Sequence, residues 1–338
     1  MSGNIEISVL ITSAFPDRKE LLLGAIKSVL EQDTMVPYEV ILIKSYSDTD
    51  IEKFCVSNGI NCILITHQYI GKKLARGIVE SRGELICLLD DDDLFLPIKI
   101  STVYKKFQDR KDLVYYHNSF IPIDLQGQLL YKKDTVFQFL ISLNKRLNER
   151  TIPSLFKYSP DFNNSCISFK KKILLNWIDL LEEIEISSDS FLFYIAIESQ
   201  GYLQIDSEPL SYYRIHNSSS RTQVATDNLT KKPLSKAYKT YYALYDIRQR
   251  VNNNLVKNAL DFELGIWGIR TKIHDRNVER REILNQLFFT IRKSKFTFNG
   301  MFLFAIFLGV TGIISPNLSI FSETFLLRHY YKKKLIPL

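Results

Sequence analysis

Gly83-Glu84-Leu85-Ile86-Cys87-Leu88-Leu89-Asp90-Asp91-Asp92-Asp93-Leu94-Phe95-Leu96-Pro97 sets a short apolar run directly before four consecutive aspartates. The run is bounded by Gly83 and reads as a buried strand. Four carboxylates at the carboxyl end of such a strand repel one another and call for a compensating cation. In an open α/β sheet that edge is also where ligands bind. A hard divalent ion, Mg2+ or Mn2+, fits this chemistry, because it prefers oxygen and takes one or two carboxylates together with substrate phosphates. The plain alternative is a solvated acidic turn that caps the next helix.

Working outward, the chain alternates between strand and helix patterns. Ile5 to Ile11 reads as a strand, and Asp17 with Glu20 as a capping box for a helix running to about Gln32. Leu22, Leu23, Ile26, Val29 and Leu30 fall on one face of that helix. Tyr38 to Ile43 is a second strand, Asp50 to Asn58 a short helix, Asn61 to Thr66 a third strand and Gly71 to Arg82 another helix. Beyond the aspartates, Leu113 to Ile123 reads as a strand, and Lys170 to Leu181 and Ser190 to Gln200 as helices. The alternation implies an α/β fold with a mostly parallel sheet wrapped on both faces.

A chain of 338 residues is long enough for one large or two medium domains with real cores. The net charge is +7, and much of the positive charge lies in the last third, including Arg292-Lys293-Ser294-Lys295 and Tyr331-Lys332-Lys333-Lys334. No nucleic-acid-binding motif accompanies it, so a membrane surface or an anionic substrate is the expected partner. Cys55, Cys62, Cys87 and Cys166 show no metal-ligand spacing and read as reduced core residues. The N-terminus reads as a strand rather than a signal sequence.

Roughly residues 5 to 220 resemble the family 2 glycosyltransferases. The resemblance rests on Ile7-Ser8-Val9-Leu10-Ile11-Thr12-Ser13, on Ile26-Lys27-Ser28-Val29-Leu30-Glu31-Gln32, and on Ala75-Arg76-Gly77-Ile78 before Arg82-Gly83-Glu84. The aspartate block matches the family's Asp-x-Asp signature at Asp90 and Asp92. Ser188-Asp189-Ser190-Phe191-Leu192 sits where the family carries its acidic base, and Tyr213-Arg214-Ile215-His216-Asn217 looks like its closing Arg-x-His segment.

The resemblance implies a GT-A fold, an inverting transfer from a nucleotide-diphosphate sugar, and a set of roles. Asp92 would be a metal ligand, and Asp90 would contact ribose or metal. Asp91 and Asp93 could hold a sugar hydroxyl or cap the next helix. Arg214 and His216 would close over the diphosphate, His216 as a further metal ligand. Asp189 would be the general base that takes the proton of the attacking hydroxyl. The alternative for Asp189 is a simple helix cap. The remaining donor contacts would come from Thr12, Ser13 and Ala14 after the first strand and from Lys44, Lys72 and Arg76. Two departures stand out. Ile43-Lys44-Ser45-Tyr46-Ser47-Asp48 replaces the paired aspartates that the family uses for the base or ribose, and Gly77 replaces the asparagine that follows Ala-Arg. Lys72 and Lys73 would offer ammonium groups to the diphosphate instead.

From about Ser218 the pattern changes. Ser218 to Thr230 is polar, Lys236 to about Lys293 reads as helical, and Phe296 to Ile314 is almost wholly apolar up to Ser315-Pro316-Asn317. A weaker apolar stretch, Leu318 to Leu327, carries Glu323 and meets Arg328-His329-Tyr330-Tyr331-Lys332-Lys333-Lys334. Basic clusters on both sides favour a hairpin dipping into or lying on one leaflet over a single span, with a buried soluble helix as the alternative. The expected organisation is a catalytic domain over 1–218 (halves 1–115 and 116–218), a helical region over 219–295 and a membrane-associated hairpin over 296–338. The expected function is transfer of a sugar to a hydroxyl of a lipid-linked glycan at the cytoplasmic face of the cell membrane. Alternatives are synthesis of a polyprenyl-phosphate sugar, a nucleotidyltransferase, which should carry a Gly-rich loop where Thr12-Ser13-Ala14-Phe15-Pro16 stands, or a non-catalytic module.

Overall fold

A computed structural model describes residues 4–130, 161–216, 232–275, 277–294 and 300–335. The chain divides into two compact units, the first ending at Ile215 and the second running from His216 onward.

In the first unit the strands are β1 (Ile7–Ser13), β2 (Tyr38–Lys44), β3 (Asn61–Leu64), β4 (Leu85–Asp90), β5 (Leu94–Phe95), β6 (Leu113–Ile123), β7 (Ile167–Lys170) and β8 (Tyr202–Arg214). They form one sheet in the order β3-β2-β1-β4-β7-β6-β8-β5. The β3-β2-β1-β4 block is parallel, with Thr12 beside Asp90 and Ser13 beside Lys44. β7 runs antiparallel to both β4 and β6, so the sheet changes character beside the aspartate strand.

The helices of this unit are α1 (Lys19–Leu30), α2 (Thr49–Ser57), α3 (Ile70–Glu80), α4 (Lys99–Asp109), α5 (Ile178–Glu182) and α6 (Ser188–Glu198). Strand alternation assigns the two faces. Ile7, Val9 and Ile11 share a core with Leu22, Ala25, Ile26 and Val29 of α1 and with Ile100, Val103 and Phe107 of α4. On the other face a side chain at Gly77 of α3 would press 2.8 Å from Ile43 and 3.1 Å from Leu10. That contact explains why glycine stands where the family carries asparagine: α3 lies directly on the sheet. Cys55, Cys87 and Cys166 are buried, and none of the four cysteines is bonded to another.

Two sequence expectations need correction. Asp17 does not cap α1: Pro16–Arg18 form a 3-10 turn, and the cap position is Arg18, which makes no side-chain cap bond. Pro16 starts that turn early, and the Arg18 side chain is drawn to the aspartates. The helix over 170–181 is replaced by β7, two 3-10 turns and the short α5. Ile167 and Phe169 are buried together, and the Ser168 hydroxyl reaches Cys87 Sγ at 3.4 Å, so pairing with β4 wins over helix propensity. Asp48 caps α2 by accepting from the Asp50 and Ile51 amides.

The second unit is helical: α7 (Lys232–Arg250), α8 (Asn254–His274), α9 (Arg280–Lys293), α10 (Gly300–Ile314) and α11 (Pro316–Leu335). Phe262, Ile266, Ile269 and Ile273 of α8 pack with Ile283 and Leu287 of α9 and with Phe302, Ala305 and Leu308 of α10. The apolar stretch after residue 296 therefore supplies part of a protein core. Among the described residues no helix is long and apolar enough to cross a membrane.

Glu323 of α11 is 2% exposed, with Arg270 Nε and His274 Nε2 each 2.6 Å from its carboxylate. Burial would raise its pKa, but Arg270 and His274 outweigh that and hold it at about 2. A carboxyl depressed on folding contributes stability above its unfolded pKa and loses it as pH falls toward the folded value. The contribution is therefore full at neutral pH and disappears only in strong acid. Removing one partner of a buried charge cluster leaves the others uncompensated, so Glu323→Gln is expected to destabilise this unit by roughly 3–5 kcal/mol. Thermal unfolding at neutral pH measures it, and an unchanged midpoint would contradict the assignment.

Candidate active site

The parallel block brings the carboxyl ends of β1, β2 and β4 to one edge, where open α/β sheets bind ligands. All four aspartates accept from protein donors, and Arg18, Asn163, Asn164 and Ser165 among these were not singled out by the sequence. Asp91 accepts from the Ser13 hydroxyl at 2.6 Å, and Ser13 Oγ lies 3.1 Å from the Tyr46 hydroxyl. Arg18 Nη1 bridges Asp91 at 3.2 Å and Asp92 at 3.0 Å, with its guanidinium over the Phe15 ring. Asp93 accepts from Ser165 Oγ at 2.6 Å, Asn163 Nδ2 at 3.0 Å and the Arg214 amide at 2.8 Å. It is therefore a structural post rather than a sugar contact or a helix cap.

Asp90 accepts from Asn164 Nδ2 at 3.2 Å, and its amide donates to Ser165 Oγ at 3.1 Å. Burial, then repulsion from Asp93 and Asp92, pushes its carboxyl well above the ordinary range. Burial and Asp92 push Asp93 up to about 7. Burial and Asp92 also raise Asp91, against the pull of Ser13 and Arg18. Arg18 thus compensates Asp91 and Asp92, while among the described residues Asp90 has the Asn164 hydrogen bond but no ion pair against its burial. That is the condition a bound cation relieves. Among the described residues no group of three or more His, Cys, Asp or Glu forms a complete metal cage. Asp92 and Asp90 fit an ion whose shell is completed by substrate phosphates, as Mg2+ is usually held.

Asn163-Asn164-Ser165 links the block to its surroundings. Asn163 has φ 70°, a left-handed backbone that is uncommon outside glycine, and its side chain both holds Asp93 and accepts from the Ser165 amide. Asn164 Oδ1 accepts from Ser188 Oγ at 3.2 Å, so a single amide side chain joins Asp90 to the first turn of α6. Behind the turn, the buried Lys99 ammonium donates to Asn118 Oδ1 and to the Ser165 carbonyl and lies 5.0 Å over the Phe95 ring. Burial lowers its pKa to about 8.

Asp189 lies in the first turn of α6, half-buried, accepting from the Ser190 amide at 3.0 Å. The cap position is Ser187, left-handed at φ 62°, so Asp189 is not the N-cap. A carboxylate there still favours the helix dipole. Ser190 Oγ donates to Asp161 at 2.8 Å, placing a second carboxylate beside the same turn.

The other expected donor contacts divide. Thr12 and Ser13 are buried at the edge and Ala14 is half-buried next to them. Lys44 is fully buried and donates to the Tyr46 carbonyl and to Glu52, both at 2.6 Å, so it braces the β2–α2 loop. Lys73 rather than Lys72 turns inward, reaching Ser45 Oγ at 3.1 Å and the Gln68 carbonyl at 3.2 Å. Arg76 faces outward and pairs with Glu80 at 2.7 Å. Arg214 is buried, with Nε on the Asp92 carbonyl at 2.7 Å and Nη1 on the carbonyls of Asp124 at 2.9 Å and Leu125 at 2.8 Å. It fixes the aspartate loop. His216 is half-buried at the start of the second unit.

Residues 10–176 match the model of glycosyl transferase family 2. A glycosyltransferase of Rickettsia bellii (strain RML369-C), described as uncharacterized, is 28% identical over 240 residues, covering 66% of this chain and 32% of the relative. The chain thus spans about a third of that relative's length. Among solved structures, residues 1–349 of S. aureus TarS in complex with UDP-GlcNAc superpose with a TM-score of 0.61 at 12% identity, covering 98% of this chain and 92% of that one. The same TarS fragment in complex with UDP gives 0.54 at 12% identity, with the same coverage. At these identities the likeness concerns the fold, which is that of the GT-A enzymes. Fold, family match and relative agree with the aspartate edge and the Ala75-Arg76 helix, and residues 10–176 form a family 2 glycosyltransferase domain.

Proposed function

We propose that the protein moves a sugar from a nucleotide-diphosphate donor to a hydroxyl acceptor by one displacement with inversion, with Mg2+ or Mn2+ at Asp92 and Asp90. The observation that carries this reading is the Asp90–Asn164–Ser188 link, which couples the aspartate block to the turn bearing Asp189. Asp189 removes the proton of the acceptor hydroxyl as its oxygen attacks the anomeric carbon. The bond from that carbon to the phosphate oxygen breaks, and the diphosphate leaves with the electron pair. The ion, when bound, would neutralise charge on the departing phosphates. Arg18 and the inward Lys73 add fixed positive charge at the same edge. An ionised phosphate acceptor would need no base, so Asp189 favours a hydroxyl.

Hydroxyls of Ser13 and Tyr46 stand near the edge where the family carries base-reading aspartates. The TarS complex with UDP-GlcNAc makes a uridine donor the first to test. The basic, apolar tail supports a lipid-linked glycan as acceptor and work at the cytoplasmic face of the cell membrane. Incubation with UDP-, GDP- and dTDP-sugars, followed by release of nucleoside diphosphate, tests the chemistry. Release confined to one nucleotide class and abolished by chelator is expected. Release that is indifferent to chelator would remove the metal, and no release from any donor that demonstrably binds would remove the transferase reading.

A further inference from the structure

The last helix is inside out. Facing the protein, α11 places Ser319, whose hydroxyl donates to the Leu308 carbonyl at 2.8 Å, and Glu323 with its partners Arg270 and His274. Facing solvent it places Leu318, Phe321 at 64% exposure and Phe325 at 61%, the two rings stacked 6.5 Å apart. A surface helix ordinarily does the reverse.

α10 continues the pattern. Its inner face is filled by Phe302, Ala305 and Leu308, and by Gly309 and Gly312, where a side chain would come within 2.8 Å of Leu287 and of Ile273. Leu303, Phe307, Val310 and Ile314 recur at helical spacing on its exposed side. Both helices thus present apolar faces that the described residues of this unit leave uncovered, and a soluble monomer rarely tolerates so much contiguous apolar surface.

Charge indicates the occupant. From Ile291 to Leu338 the chain carries seven Lys and Arg against one Glu, which is +6 of the whole chain's +7. That one acid is the buried Glu323, already paired with Arg270 and hydrogen-bonded to His274, while Lys293 among the bases pairs with Asp261. A second copy docked on this face would bring the same positive charge against itself, whereas anionic headgroups complement it. Each basic residue near such headgroups raises partitioning roughly fivefold.

We propose that the outer face of α10 and α11 is a docking surface for an anionic lipid bilayer, with Phe321 and Phe325 inserted at the interface and the helices lying along it. Absence of a spanning helix among the described residues agrees with surface attachment. The proposal rests on the membrane part of the functional reading and is independent of the transfer chemistry.

Flotation of the full chain with vesicles of phosphatidylcholine, alone or mixed with phosphatidylglycerol, tests it. Wild type is expected to float with the mixed vesicles and to be released by salt. Phe321→Ser with Phe325→Ser should lower partitioning about tenfold or more, since two aromatic side chains lose their apolar contact. Its thermal midpoint and its turnover of a soluble nucleotide sugar should be unchanged, because both rings are exposed. Lys332→Gln, Lys333→Gln and Lys334→Gln together should weaken binding to the mixed vesicles only. Three results would each overturn the proposal: wild type that floats with neither vesicle, a double variant that floats like wild type, or a dimer in sedimentation that the double variant dissolves without any vesicle binding.

Discussion

Asp92→Ala is expected to abolish transfer while leaving the fold intact. The Asp92 carboxylate pairs with Arg18 Nη1, which keeps Asp91 when Asp92 is gone. Its removal also lowers the repulsion that helps raise Asp90, Asp91 and Asp93. The variant should therefore unfold at the same temperature or slightly higher, in contrast to most losses of a partly buried charge. Removing an electrostatic stabiliser of the leaving group typically costs about 100- to 1000-fold in turnover. Residual activity insensitive to chelator would move the metal elsewhere, and full activity of Asp92→Ala in chelator-treated buffer would end the metal role.

Asp189→Asn is expected to lower turnover by roughly 100-fold or more, the usual worth of a general base. The amide keeps the size and can still accept from the Ser190 amide, so α6 should retain its first turn. Affinity for the nucleotide sugar should hardly change, because the base faces the acceptor. Turnover and donor binding measured separately decide the case. A variant that loses donor binding but keeps its turnover would reassign Asp189 to the donor side. Asp161 supplies an internal control, since it is joined to the same turn through Ser190. If Asp161→Asn alone reproduced the loss, the base would be Asp161.

What the sequence made legible follows physical range. Leu85 to Leu89 forms a run that only a buried strand accommodates, so the aspartates could be placed at a sheet edge before any coordinates. The helical phase of α1 was equally plain, with Leu22, Ile26 and Val29 buried as the spacing requires. Arg18 escaped notice because its partners lie 73 and 74 residues away and nothing local marks the pairing. Lys72 and Lys73 could not be told apart for a subtler reason. Adjacent residues on a helix point about 100° apart, and only packing against β2 shows which one turns inward. Arg214 was read as a ligand from its motif, but its guanidinium is committed to three carbonyls. Asn163 to Ser165 offered a polar cluster before an alternating stretch, a signal that would have suggested a turn entering a strand.

The fastening of Asp93 bears on how the chain acquires its site. Its partners Asn163, Ser165 and Arg214 lie 70, 72 and 121 residues further along. Closing loops of that length carries an entropic cost that must be met before the contacts repay it. β1 to β4 can pair from near neighbours alone, yet Asp93 of the acidic turn they create has no clamp until β7 and β8 are in place. A nascent chain that has emerged only as far as α4 therefore exposes Asp90 and Asp93 without their later partners on an open sheet edge, beside Asp91 and Asp92 already held by Ser13 and Arg18. Such an edge resists pairing with another chain through its charge, which keeps the half-made protein apart from its copies while synthesis continues.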